Sequence, residues 1–175
     1  MSITLYTKTS LGGVARTYTN DVPNFCCIRP CARSLKVERC PWVAFTERDY
    51  KGEFKIYGFH EYMDLKDFDM KIRSLRVIKE ALENPTIIVY AEVNYPSEGA
   101  KKELSEKTET LATIEKEMGG KISSHIIERG PWILYEKQNF EGHRMFTKEN
   151  VRDYSKLEWK VSSLRPLTQS DFEST

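Results

Sequence analysis

Short apolar runs recur along this chain, each bounded by polar residues and turn formers. Residues 3–6, 42–45, 86–90 and 132–135 are rich in β-branched and aromatic side chains, the composition of strands rather than helices. Each run opens a spaced pattern. Phe45, Tyr50 and Gly52 follow the form aromatic-x4-aromatic-x-Gly, and so do Tyr135, Phe140 and Gly142. Tyr6, Leu11 and Gly13 give the same spacing with one aliphatic substitution, and Tyr90, Tyr95 and Ser97 give it with serine for glycine. A serine leading an apolar or basic strand closes every copy, at Ser34, Ser74, Ser124 and Ser163. From the glycine position to that serine the gaps are 21, 22, 27 and 21 residues.

The four copies pair into two halves. Glu38-Arg39-Cys40-Pro41-Trp42 returns 90 residues later as Glu128-Arg129-Gly130-Pro131-Trp132, an internal repeat of domain size. A glycine after the second aromatic suits a backbone with positive φ, where a hairpin folds over itself. Four strands per copy, closed by a long return connection, make a Greek key. Two such keys make a β-sandwich with Trp42, Trp132 and the paired aromatics in its core. The predicted fold is all-β with two tandem sandwiches, residues 1–80 and 86–167, joined by a linker at 81–85. The motifs span 3–40, 41–80, 86–130 and 131–167, and a polar tail at 168–175 is either disordered or the start of a connection.

The third copy departs from the pattern. Ser97 at the glycine position would cost about 1 kcal/mol if φ stayed positive, so Pro96 and Gly99 predict a hairpin rebuilt by a residue or two. Leu104, Leu111, Ile114 and Met118 lie at helical spacing before Gly119-Gly120, which predicts a short helical insertion within 101–118.

From residue 3 to about residue 167 these motifs resemble the βγ-crystallin superfamily. Within it the chain is most similar to the non-lens amphibian members, the epidermis differentiation-specific proteins. The resemblance implies that the serine hydroxyls of Ser34, Ser74, Ser124 and Ser163 bond back to the folded hairpins. It also implies a place for calcium, at the pattern Asn/Asp-Asn/Asp-x-x-Ser/Thr-Ser, which falls on residues 29–34, 69–74, 119–124 and 158–163. In the first half Arg33 and Arg73 replace the ligand hydroxyl, and a cation there repels a hard metal that needs several oxygens. In the second half Ser123, Ser162 and Glu158 are the remaining weak candidates, so no cofactor is expected and calcium binds at most weakly. The lens relatives further imply an apolar patch on the second motif of each domain. Val43, Ile56 and Ile78 match it on one side, with Ile133, Phe146 and Leu167 on the other at offsets of 90, 90 and 89 residues. The expectation is domain pairing within one chain or in a homodimer. The alternative is that some of the six point into their own cores.

Composition narrows the function. A net charge of +1 argues against a general nucleic-acid binder. No apolar run approaches the ~20 residues that span a bilayer, and the N-terminus carries no secretory pattern, so the expected location is cytoplasmic. Cys26, Cys27, Cys31 and Cys40 lack zinc-site spacing and read as reduced thiols. No nucleophile elbow, zinc histidine pair or dinucleotide fingerprint occurs. Gly120-Lys121 fails as a phosphate loop, because Glu115 stands at its first glycine and Ile122 at its Ser/Thr position. The expected function is a non-enzymatic, crystallin-like structural protein of a differentiated, epidermal tissue. Two alternatives stand beside it. One is a recognition module heading a longer aerolysin-like pore-forming chain, with a glycan or lipid ligand. The other is a weak calcium-binding module.

Overall fold

Alternation along the strands sets the layers. In β1 (Ser2–Tyr6) Ile3 and Leu5 are buried while Ser2, Thr4 and Tyr6 are half-exposed, as expected of a sheet with one face on a core. The computed structural model describes residues 1–25 and 32–173. Cys26, Cys27, Cys31 and the first half of the 29–34 calcium segment lie outside the described residues.

The first half contains β1, β2 (Ala15–Tyr18), β3 (Ser34–Glu38), β4 (Trp42–Phe45), β5 (Phe54–Tyr57), β6 (Glu61–Tyr62) and β7 (Ser74–Val77). They form two antiparallel sheets, β2-β1-β3-β6 and β5-β4-β7. The sheets exchange strands. β6 follows β5 in sequence but pairs with β3, while Val22 follows β2 and bridges Leu75 of β7. Each Greek key therefore lends its third strand to the sheet of the other, so neither motif is complete alone. The buried side chains between the layers include Ile3, Leu35, Trp42, Tyr57 and Leu75, each worth roughly 1.5–3 kcal/mol when withdrawn from water.

The second half repeats the plan with β8 (Thr86–Tyr90), β9 (Lys101–Leu104), β10 (Ser124–Arg129), β11 (Trp132–Tyr135), β12 (Arg144–Thr147) and β13 (Ser163–Pro166). Its sheets run β10-β8-β9 and β12-β11-β13, and the exchanged strands shrink to single bridges, Thr108 to Leu164 and Val151 to His125. Ile87, Val89, Trp132, Leu134 and Leu164 fill this core.

Two expectations need correction. Residues 101–104, assigned by spacing to a helix, are the edge strand β9, paired along its length with β8. The run of β-branched residues in β8 needs a hairpin partner, and Lys101, Lys102 and Glu103 are exposed as edge residues should be. The helix α1 is confined to Ala112–Met118. It buries Ile114 and ends at Gly119, whose φ of 72° closes the last turn. The equivalent connections in the second and fourth motifs carry only 3-10 turns, Lys66–Phe68 and Tyr154–Lys156.

The chain divides into Met1–Lys79 together with the segment from Ser170, and Glu80–Gln169. Glu80 thus joins the second unit, where its carboxylate lies 3.1 Å from Lys148 Nζ. The polar tail, expected as disordered or as a connection, contains a short helix α2 (Ser170–Glu173) that packs on β5 of the first unit. The Phe172 carbonyl lies so close to Gly58 that a Cβ there would stand 2.6 Å from its oxygen.

Candidate functional site

The structurally distinctive feature is the folded hairpin, which occurs four times. In each, two consecutive residues adopt left-handed backbone: Ser10 and Leu11, Asp49 and Tyr50, Asn94 and Tyr95, Asn139 and Phe140, with φ between 40° and 63°. Non-glycine residues pay about 1 kcal/mol each for that conformation. The hairpin therefore needs an external partner, and the closing serine supplies it. The hydroxyl of Ser34 donates to the Lys8 carbonyl at 2.6 Å and accepts from the Leu11 amide at 3.0 Å. Ser74 does the same between Glu47 and Tyr50 (2.6 and 3.1 Å), Ser124 between Glu92 and Tyr95 (2.6 and 3.1 Å), and Ser163 between Lys137 and Phe140 (2.6 and 3.1 Å).

In every case one hydroxyl is inserted between the carbonyl of residue i and the amide of residue i+3, the pair that an ordinary turn would join directly. All four serines are fully buried. The hairpin then lays its second aromatic on the first: Tyr50 on Phe45 at 5.8 Å, Tyr95 on Tyr90 at 6.2 Å and Phe140 on Tyr135 at 5.6 Å between ring centroids. In the first copy Leu11 stands at the second aromatic position of the motif. Arginines complete the stack, with Arg76 4.4 Å from the Tyr50 ring and Arg152 5.1 Å from that of Tyr95.

Glycine ends the compact hairpins. Gly13, Gly52 and Gly142 have φ of 81°, 78° and 78°. In these three the arch closes over seven residues, from Thr7 to Val14, Thr46 to Glu53 and Glu136 to His143. A side-chain oxygen at its base accepts from the far amide: Thr7 from Val14, Thr46 from Glu53 and Glu136 from His143. The third copy closes over nine, from Ala91 to Ala100. Two added residues dispense with the left-handed glycine, and Ser97 escapes positive φ. Ala91 offers no side-chain oxygen, which is the sequence signal for the longer arch.

The calcium segments do not fit a hard cation in the first domain. Arg73 Nη1 donates to the Met70 and Ile72 carbonyls at 3.0 and 3.1 Å, consuming oxygens that a metal would need. Arg33 Nε stands 3.9 Å from Asp69 Oδ1, too far for a hydrogen bond. In the second domain Ser123 Oγ donates to the Lys121 carbonyl at 3.2 Å, Glu158 is exposed, and Lys160 reaches Glu115 at 3.2 Å. Ser162 is half-buried, and its carbonyl accepts from Leu111. Among the described residues no group of three His, Cys, Asp or Glu has metal-site geometry.

The six residues of the apolar patches occupy equivalent positions. Val43 is paired with Ile56 across β4 and β5, and Ile133 with Phe146 across β11 and β12. Ile78 donates its amide to Pro41, and Leu167 donates to Pro131. Val43 alternates with Trp42 and Ala44, both of which belong to the first core, so it faces the opposite side of its sheet.

Strand-exchanged double sandwiches with a serine-locked hairpin in every motif define a tandem Greek-key protein. The chain belongs to the beta/gamma crystallin family, whose model matches residues 2–78 and 86–167. It is 34% identical over 135 residues to an epidermal differentiation-specific protein of Cynops pyrrhogaster, a match covering 76% of this chain and 38% of the newt protein. The chain thus spans little more than a third of that relative's length. Gamma-crystallin C of Macaca mulatta is 25% identical over 172 residues, covering 93% of this chain and 95% of the relative. The solved structure of Geodin from Geodia cydonium aligns at 20% identity over 95% of this chain and 98% of that one, with a TM-score of 0.39.

Two expectations follow from the hairpin geometry. Ser74→Ala and Ser163→Ala each leave a buried amide and a carbonyl unpaired, and should each lower the stability of the affected domain by about 2–3 kcal/mol in chemical denaturation. A loss below about 0.5 kcal/mol in both would contradict the lock. Gly52→Val would force a β-branched residue to positive φ with its Cβ 2.5 Å from Thr46 Oγ1, and Gly142→Val would place one 2.7 Å from Glu136 Oε2. Each should destabilise by more than about 1 kcal/mol, while Gly120→Ala, whose Cβ meets only Ala91 at 3.6 Å, should melt like the parent.

Proposed function

We propose that this chain is a non-enzymatic structural protein of differentiated epidermis, built for persistence rather than chemistry. The observation that carries this reading is the use of its buried polar groups. Ser34, Ser74, Ser124 and Ser163 all spend their hydroxyls on the backbone of their own domain, and Arg76, only 7% exposed, spends its charge on Asp21. The likeness to an epidermal differentiation-specific protein supports the tissue. Antibody staining of the source animal's skin should find the chain inside cells of the differentiated layers. Its restriction to an unrelated tissue would overturn the assignment.

The two apolar patches support pairing of the domains, within one chain or between two copies. An uncovered patch on each would invite association. Phe146→Asp should uncouple the two melting transitions in calorimetry while leaving each close to that of the separately expressed domain. An unchanged profile, or outright loss of the second transition, would contradict the pairing.

A second reading, a recognition module within a longer pore-forming chain, is favoured by the newt relative, which extends far beyond the matched region. Glycan arrays and liposome sedimentation separate it from the first, since a purely structural role predicts binding to neither. Calcium enters at most weakly, because Arg73 already holds the carbonyls of its loop. Isothermal titration at neutral pH should find no site tighter than about 10⁻⁴ M, and a micromolar site would place calcium binding ahead of the structural reading.

A further inference from the structure

The second domain holds a buried histidine that the hairpin architecture does not require. His125, on β10, is fully buried. Its Nε2 lies 3.0 Å from the Glu149 carbonyl and its Nδ1 lies 2.6 Å from Tyr154 Oη. A carbonyl only accepts, so Nε2 carries the proton and donates. Nδ1 is then the bare acceptor, and the Tyr154 hydroxyl donates to it. The ring is locked in one neutral tautomer.

Both partners belong to the returning segment at 147–157, the exchanged strand of the fourth motif. Its attachment to β10 centres on the same residue. Val151 and His125 exchange backbone hydrogen bonds at 3.0 and 2.9 Å, the Tyr154 amide donates to Ser123, and the Ile127 amide donates to Asn150 Oδ1. Tyr154 and Leu157 from this segment pack on the core, as does the adjoining Trp159.

We propose that this segment is an acid-released latch: protonation of His125 breaks its docking to β10 and opens the exchanged edge of the second domain, leaving the first domain closed.

A proton added at Nδ1 meets a hydroxyl hydrogen already pointing at it. Tyr154 must then turn its own hydrogen away, and the hydrogen bond it donates to the ring is lost. Among the described residues the ring's environment is set by burial and by the Glu149 carbonyl, with no carboxylate among the causes acting on it. On the segment, Lys148 pairs with Glu80, Arg152 lies over Tyr95, and Asp153 accepts from the Ser155 amide. Glu149 meets the ring through its carbonyl. On β10 the charged residues are Glu128 and Arg129 at the far, exposed end, and on β8 the only titratable group is Tyr90. Burial accordingly pushes the imidazole down to about 4 and the Tyr154 hydroxyl up. An unfolded histidine titrates near 6.5. Between those values the open state binds more protons than the closed one, so closure weakens as pH falls from about 6.5 to about 4 and is flat below.

The first domain lacks the device. The position equivalent to His125 is Leu35, paired with Tyr62 of β6, and the histidine near that edge, His60, is exposed, with its ring against Tyr62 at 5.4 Å, rather than buried in the docking contact. Arg76 and Asp21 hold the other exchanged edge together.

The test is amide hydrogen exchange on the full chain from pH 7 to 4, corrected for intrinsic rates. Protection of the Val151 and Tyr154 amides should fall by roughly 100-fold relative to β11 as the pH drops. The Val37 amide, which bonds the His60 carbonyl in the first domain, should hold. In His125→Leu, which copies the first domain, the fall should disappear. Unchanged protection in the wild type, or an equal fall in a folded His125→Leu, would overturn the latch. Should that variant fail to fold, direct NMR titration of the wild-type imidazole decides. Titration below pH 5 supports the latch, and titration near 6.5 with the segment still docked overturns it.

Discussion

One hydroxyl between a carbonyl and an amide carries most of this architecture. A hairpin that folds over its own sheet needs two successive residues in the left-handed region, and such a turn cannot close its own hydrogen bond. The serine from the closing strand completes the circuit, and in doing so fixes three things at once. It holds the strained turn, it sets the register of the strand that bears it, and it seats the second aromatic against the first. Because the lock joins the first and last strands of a motif, it also defines the space through which the third strand leaves for the neighbouring sheet.

Strand exchange then makes the domain the cooperative unit. Val22 on β7 and β6 on β3 tie the first pair of motifs together, and Thr108 on β13 and Val151 on β10 tie the second. Removing one lock should therefore weaken a whole sandwich rather than one hairpin. The two domains have diverged where their exchanged edges close. The first uses the pair of buried Arg76 with half-buried Asp21, and Leu35, and the second uses the His125–Tyr154 pair. The locks are common to both while these closures differ, which separates what the fold requires from what each domain has added.

Much of this was legible in the chain, because spacing records it. Aromatic-x4-aromatic-x-Gly followed by serine is a geometric constraint, and it marked the four motifs, the strands that open them and the glycines at positive φ. What escaped was local chemistry with no fixed spacing. The left-handed pair in each hairpin was hidden because the motif marks only its second member, at Leu11, Tyr50, Tyr95 and Phe140, and carries no sign of that residue's φ. Helical spacing from Leu104 to Met118 misassigned β9, since a half-buried leucine ending an edge strand satisfies the same periodicity. Docking of α2 on β5 left no mark beyond Gly58. His125 looked like part of an apolar strand, and its partners lie 24 and 29 residues away in sequence.

The most direct measurement of the central claim is native-state hydrogen exchange at the four amides that donate to the serines, those of Leu11, Tyr50, Tyr95 and Phe140. They sit in surface hairpins, where amides ordinarily exchange quickly. If the hydroxyls hold the turns, all four should exchange only with the opening of their whole domain, at rates matching the amides of β4 or β11. Exchange at the rate of an open loop, with the adjoining strands still protected, would contradict the account.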